Sequence, residues 1–466
     1  MKHYLAFIFT IALTFSFAQT PNNTSLSDKI YGLSKFWSEV NNNFVYVYKL
    51  DKEKWEFAYK KAISNIQKTK NDYEYYRELQ KLCAVLNDGH TQVFMPEELE
   101  GNLMNSTFGD YYFSFSNISG KTIVTSVSAK HKKEIPIGSM VISVNNIPIE
   151  EYQDRFVIPY ISTSSEHTRK NTASRNLLLG NAGEKFEVEF LTPNKELKKL
   201  HITLAKYTGG VIFPIPEPKL KPFYYKLLDQ EIGLIQLNSF ENVSVLDDFK
   251  KTLPEIRNAK SIIIDIRNNQ GGSSKIAKNI AKYFIQGDSI LGAKNSTREI
   301  IPVERALGSF LNAQDTLKGK KEWGLNKEET IKYYQAAQGA RFYTYENNAE
   351  YFDKVEKINV PVVILTDNNT ASAAEDFLIY LYNQENITRI GDYTYGSTGQ
   401  PLQIELPNGG SAWICTKKVT LPSGEEFVGT GIKPQILVKK TIDDYIIPDS
   451  DSQLEKAIRH ICKKSI

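Results

Sequence analysis

Ser372 stands in Thr370-Ala-Ser-Ala-Ala-Glu375, where an apolar strand pattern, Val360-Pro-Val-Val-Ile-Leu-Thr366, gives way to an apolar helical pattern through Tyr382. A hydroxyl at a helix start projects from a tight turn, and the free N–H groups of the first turn can hold a developing oxyanion. The same spacing, Ser372-x-x-Glu375, is also a capping box, each side chain satisfying the other's backbone donor. The segment alone suits cap and nucleophile alike. Arg267-Asn-Asn-Gln-Gly-Gly272 is a second concentration of backbone donors. Its paired glycines allow a ligand carbonyl close to the chain, although a plain strand–helix turn has the same composition. No Lys-Ser/Thr pair follows them, which argues against a phosphate loop. His90, in Asn87-Asp-Gly-His-Thr91, is one of six histidines. A serine nucleophile needs a base, and histidine is the common one near neutral pH, but a lone histidine also serves structure.

The elements that must carry these residues fall into three regions. From Ser27 to about Pro96 the apolar spacing is helical: Ile30, Leu33, Phe36, Trp37 and Val40 share one face, and Trp55, Tyr59, Ala62, Ile63 and Ile66 a second. Tyr76, Leu79, Leu82, Cys83 and Leu86 make a third face, ending at Asp88-Gly89, so His90 follows the last helix of a small helical domain. From about Thr107 to Tyr207 the period becomes that of strands, at Lys121–Ser128, Gly138–Ile149, Phe186–Leu191 and Leu200–Leu204. The Gly138–Ile149 stretch resembles the signature of PDZ domains, which bind peptide ends by strand addition. Their glycine-rich carboxylate loop would fall near Tyr111–Phe115, where there is no glycine. A Pro-rich linker at Phe213–Pro218 leads to two strand–loop–helix units, one from Ser261 to Phe284 and one from Val360 to Tyr382. The polar, mixed segment from about Leu291 to Lys357 lies between them and could cover a site.

Length and composition bound the reading. The chain's 466 residues exceed one compact core and predict two or three domains. Lys and Arg number 57 against 54 Asp and Glu, a net +3 with no concentration, so no nucleic-acid footprint is expected. Lys2 and His3 precede an apolar run from Leu5 to Phe15 and then Ser16-Phe17-Ala18-Gln19. That pattern reads as a secretory signal peptide, too short for a membrane span, and predicts an exported, periplasmic or secreted protein. No later segment is long and apolar enough to span, so the mature chain is expected to have no membrane span. Cys83, Cys415 and Cys462 are far apart, and single buried thiols are expected.

Taken in order, Asn87-Asp-Gly-His-Thr91, Ile264–Gly272, Leu365–Glu375, Gly391-Asp-Tyr-Thr-Tyr-Gly-Ser-Thr-Gly399 and Gly429-Thr-Gly-Ile-Lys-Pro434 form a recognisable set. The set resembles the C-terminal processing (tail-specific) serine peptidases, relatives of the tricorn protease core and of interphotoreceptor retinoid-binding protein. The resemblance implies an α/β multidomain fold, which together with the segment readings above divides the chain into signal peptide 1–19, N-terminal helical domain 20–104, PDZ-like β-rich domain 105–210, peptidase core of strand–loop–helix units 220–446 and C-terminal helix 447–466. It implies Ser372 as nucleophile and an oxyanion hole from Gly271 or Gly272 with Ala373. Its substrate would be a polypeptide, with no metal and no organic cofactor. In the Ser/Lys branch a lysine follows the nucleophile by 25 positions, and here that position is Ser397 (397 − 372 = 25). The tricorn-like branch uses histidine assisted by serine and glutamate. His90 fits its histidine, Gly89 stands where its helper serine would be, and Glu425 and Glu426 are the nearest stand-ins for its acid. The expected pair is therefore Ser372 with His90, with Ser397 as a hydrogen-bonding partner and the orienting acid open. Lys417 and Lys418 are the next candidates for a base. The retinoid-binding relatives imply the alternative of a catalytically weak or inactive binding protein.

Overall fold

The computed structural model describes residues 23–101, 103–104, 111–206, 209–214, 220–447 and 449–464. The expected signal peptide and most of the Pro-rich linker lie outside the described residues. Three helices come first: α1 (Leu26–Asn43), α2 (Lys52–Ile66) and α3 (Asp72–Ala84). Each begins at a polar cap, Ser25, Asp51 and Asn71, whose side chain accepts a first-turn N–H. Their apolar faces meet in one cluster around Leu33, Phe36, Tyr75, Tyr76 and Leu79. That cluster is not closed by the helices alone, since Ile404, Leu406, Ala412, Ile414 and Cys415 complete it from more than 300 residues away. The physical link is β1 (Gln92–Phe94), which follows His90 and pairs antiparallel with a late strand, Val93 opposite Ala412.

The second region is an antiparallel sheet of β2 (Ser114–Ile118), β3 (Lys121–Ser128), β4 (Met140–Val144), β5 (Lys185–Leu191) and β6 (Leu197–Thr203), with α4 (Ile149–Phe156) and α5 (Glu166–Arg175) packed on it. The turn after β4 is Asn145-Asn146, both at positive φ (52° and 59°), as a tight hairpin requires.

The third region carries a six-stranded sheet. In spatial order it contains β7 (Phe223–Leu228), β8 (Ile232–Leu237), β9 (Ser261–Asp265), β11 (Val362–Thr366), β12 (Ile387–Gly391) and β16 (Ile436–Leu437); only the β7–β8 pair is antiparallel. Helices α6 (Ser244–Ile256), α7 (Ser274–Ala281) and α9 (Ala373–Tyr380) cover one face with Ile262 and Ile264; α10 (Ser452–Lys464) covers the other with Ile263 and Val363. Burial on both faces is why β9 and β11 read as continuous apolar runs. Between them, β10 (Lys294–Arg298) and α8 (Lys327–Gln338) belong to the long insertion. After β12 come the hairpin β13 (Pro401–Glu405) and β14 (Ser411–Cys415), which holds β1, and β15 (Lys417–Thr420), which pairs with β10. Cys83 and Cys415 are buried free thiols as expected, whereas Cys462 is half-buried on the last helix. No helix among the described residues is long and apolar enough to cross a membrane.

Candidate active site

Ser372 lies at the carboxyl end of β11, one residue before α9, in a conformation that an ordinary cap does not need. Its φ is 54° and ψ −121°, whereas Ser25, the cap of α1, sits at −61° and 154°. A non-glycine residue held there stores about 1–3 kcal/mol of strain, which surrounding contacts must offset. The main contact is Glu375, fully buried, whose Oε2 accepts the Ser372 N–H at 3.3 Å. The Glu375 N–H in turn bonds to the Ser372 carbonyl at 2.8 Å.

The 267–272 loop follows β9, the neighbouring strand, and so leaves the same sheet edge. Asn269 organises it. Its Nδ2 donates to the Leu237 carbonyl (2.9 Å), its Oδ1 accepts the Gly271 N–H (2.9 Å), and its carbonyl accepts the Ala371 N–H (3.0 Å). Gly271 therefore packs directly on the serine turn: a Cβ there would lie 2.7 Å from the Ser372 Cβ and 3.0 Å from the Ala373 nitrogen. At φ 108° and 125°, Gly271 and Gly272 also adopt backbone that other residues rarely do. Of the two glycines considered for an oxyanion hole, Gly271 has its N–H committed to Asn269. Among the described residues the N–H groups of Gly272 and Ala373 make no hydrogen bond.

His90 comes to the site through Ser397. Its Nδ1 lies 2.7 Å from the Ser397 Oγ, and the Ser397 carbonyl accepts the Ser372 N–H at 3.4 Å. Positions 90, 372 and 397 thus meet in one cluster, although no hydrogen bond joins His90 to Ser372. The imidazole is half-buried, and burial, helped by the positive charge of Lys417, pulls its pKa from 6.5 down to about 4. Behind His90, Asp88 is buried and accepts from the Thr91 and Ser164 hydroxyls (2.7 and 3.3 Å); burial raises it to about 6.

The second region locks these loops in register. Ser164 accepts the Gly89 N–H (2.9 Å), Ser165 donates to the Tyr395 carbonyl (2.8 Å), and His167 Nε2 donates to the Thr394 carbonyl (2.8 Å). Residues at the start of α5 therefore hold both the His90 loop and the Ser397 loop.

Glu425 and Glu426, the expected stand-ins for an orienting acid, are not at this cluster. Both are exposed; Glu426 is paired with Lys49 at 2.9 Å and with Lys418, because the turn that carries it faces the N-terminal helices. The carboxylate that does reach the site is Glu375. Its Oε1 accepts from the Thr394 hydroxyl (2.6 Å) and the Gly396 N–H (2.9 Å), tying the Ser397 loop to the Ser372 turn. Burial raises its pKa to about 8 against the pull of these donors. Position +3 in a capping box was the one available signal for it.

Residues 231–438 match peptidase family S41. That match covers 208 of the 466 residues, under half of the chain. The matched segment runs from β8 to the end of the sheet, so it contains Ser372, Ser397 and the 271–272 loop but not His90. The chain is 27% identical to the carboxy-terminal processing protease CtpA of Bacillus subtilis over 224 residues, 48% of this chain and 38% of that one. It is 20% identical to the carboxyl-terminal-processing protease of Synechocystis over 463 residues, 97% of this chain and 92% of that one. Mature CPAF, solved in complex with lactacystin, shares the fold at a TM-score of 0.62 and 12% identity, covering 94% of this chain and 97% of its own. The resemblance to C-terminal processing serine peptidases holds, and these matches support a serine peptidase.

Proposed function

We propose that the chain cleaves polypeptides through an acyl-enzyme on Ser372, with His90 as the base. The observation that carries this reading is the backbone of Ser372. A cap gains nothing from φ 54°, whereas a nucleophile does, because the strained strand-to-helix turn pushes its hydroxyl out of the sheet. With Nδ1 protonated and donating to Ser397, Nε2 is unprotonated and free to take the Ser372 proton. The serine oxygen then adds to the peptide carbonyl. The N–H groups of Gly272 and Ala373 receive the oxyanion, and His90 returns the proton to the leaving amine. Water repeats the sequence in reverse and frees the acid. Ser397 acts as the tautomer-fixing partner in place of a carboxylate, and Glu375 holds Ser397 and Ser372 in register.

The missing His90–Ser372 hydrogen bond would suit a binding protein, but unliganded catalytic pairs are often loose and tighten on substrate. The export reading rests on the Lys2–Gln19 segment and predicts a mature amino terminus near residue 20. The test of function is hydrolysis of an unfolded protein by wild type, Ser372→Ala and His90→Ala. Loss of several orders of magnitude in both variants, with stability changed by only about 1 kcal/mol in the first, is expected. Equal hydrolysis by all three would reduce Ser372 to a cap.

A further inference from the structure

Asp376 and Tyr380 lie four residues apart on α9 and so share one face of the helix that starts one residue after Ser372. Asp376 and Tyr380 line a cavity of about 250 Å³, together with Ser274 at the start of α7, Asn295, Asn347 and Lys417. Both helices that wall it begin at the site, one after Ser372 and the other just after the 271–272 loop. Ser372 itself does not line the cavity, but Asp376 is one helical turn beyond it and Ser274 two residues beyond Gly272, so the cavity neighbours the site and has room for one side chain.

Its charges define what fits. Lys278 and Glu350, at its edge, satisfy each other at 2.5 Å. Asp376 and Lys417 do not: Asp376 Oδ2 accepts from the Ser274 hydroxyl at 2.5 Å, which leaves Oδ1 uncommitted among the described residues. The Lys417 ammonium makes no ion pair and no hydrogen bond among the described residues. An acceptor and a donor of opposite charge thus share one cavity without touching. A carboxylate entering there meets Asp376, and an ammonium meets Lys417. An apolar side chain would strip water from both charges and return nothing. A carboxamide suits both at once, its NH2 donating to Asp376 and its carbonyl accepting from Lys417.

We propose that this cavity is a specificity subsite for a glutamine or asparagine side chain adjoining the cleaved bond, an inference that rests on Ser372 being the nucleophile. Because Asp376 and Lys417 balance, removing either charge should tip the preference in a known direction. Cleavage of a mixed peptide library by wild type, read by mass spectrometry, should show Gln or Asn enriched at one position beside the cut. Asp376→Asn should shift that position towards Glu or Asp, and Lys417→Gln towards Lys or Arg, each by about tenfold, the worth of one hydrogen bond to a charged group. A thermal melt checks that both variants fold; should Asp376→Asn fail, Lys417→Gln carries the test alone. If wild type is labelled at Ser372 by a fluorophosphonate and cuts peptides, but with no carboxamide preference or with one that neither variant moves, the subsite is wrong and the peptidase reading stands. If wild type is neither labelled nor active, both fall together.

Discussion

Ser397→Ala is the substitution whose outcome the geometry sets most narrowly. It removes the oxygen that lies 2.7 Å from His90 Nδ1 and leaves the imidazole otherwise in place. The lost interaction is a neutral hydrogen bond, with a net worth of about 0.5–1.5 kcal/mol. It fixes the tautomer and orientation needed when the proton moves, so its loss should appear in kcat with KM nearly unchanged. At 1.36 kcal/mol per decade, that is a fall of about two- to thirteenfold. Folding should lose about 1 kcal/mol, since Ser397 is fully buried and its hydroxyl satisfies no other described donor. Steady-state kinetics on an unstructured protein substrate, beside a thermal melt, reads both quantities. A loss as large as that of His90→Ala would mean that Ser397 itself moves the proton. An unchanged kcat would mean that His90 is oriented by something else and that Ser397 takes no part in the reaction.

The pH dependence follows from the depressed pKa of His90. The base works when neutral, so activity falls as pH drops through its pKa, and kcat/KM should hold its plateau below pH 6, with an acid limb nearer 4 than 6.5. Lys417→Gln removes one cause of the shift and should move that limb upward. Glu375→Ala strands the Thr394 hydroxyl and the Gly396 N–H in a buried site and leaves the Ser372 N–H only its 3.4 Å bond to the Ser397 carbonyl, so it should cost about 3 kcal/mol in a denaturant titration together with most of the activity. Gly271→Ala forces a methyl to 2.7 Å from the Ser372 Cβ at a φ of 108°, so the variant should lose activity and melt several degrees lower.

Much of the fold was legible because its signals are local. Ile262, Ile263 and Ile264 announce a strand buried on both faces, and Asn145-Asn146 announces a hairpin. The α/β class and the serine turn followed from such patterns together with the ordered motifs. What stayed hidden depends on contacts between distant segments. That Ile404 and Ile414 complete the core of the first three helices cannot be read from a period within either segment. Asn269 occupying the Gly271 N–H depends on a loop conformation that composition leaves open. Family spacing points to Glu425 and Glu426 for the acid, while the buried carboxylate near the serine is Glu375, which looks in sequence like half of a cap. Asp376 and Lys417 line one cavity only because α9 and the distant β15 are brought together by the fold.

The central claim is that the Ser372 hydroxyl is a nucleophile, and the most direct measurement is the intact mass of the protein after incubation with a fluorophosphonate. Wild type should gain a single adduct, mapped by peptide analysis to Ser372, and His90→Ala should gain it far more slowly. Ser372→Ala should gain none. Wild type left unmodified at saturating reagent, or the same adduct on Ser372→Ala, would contradict the account.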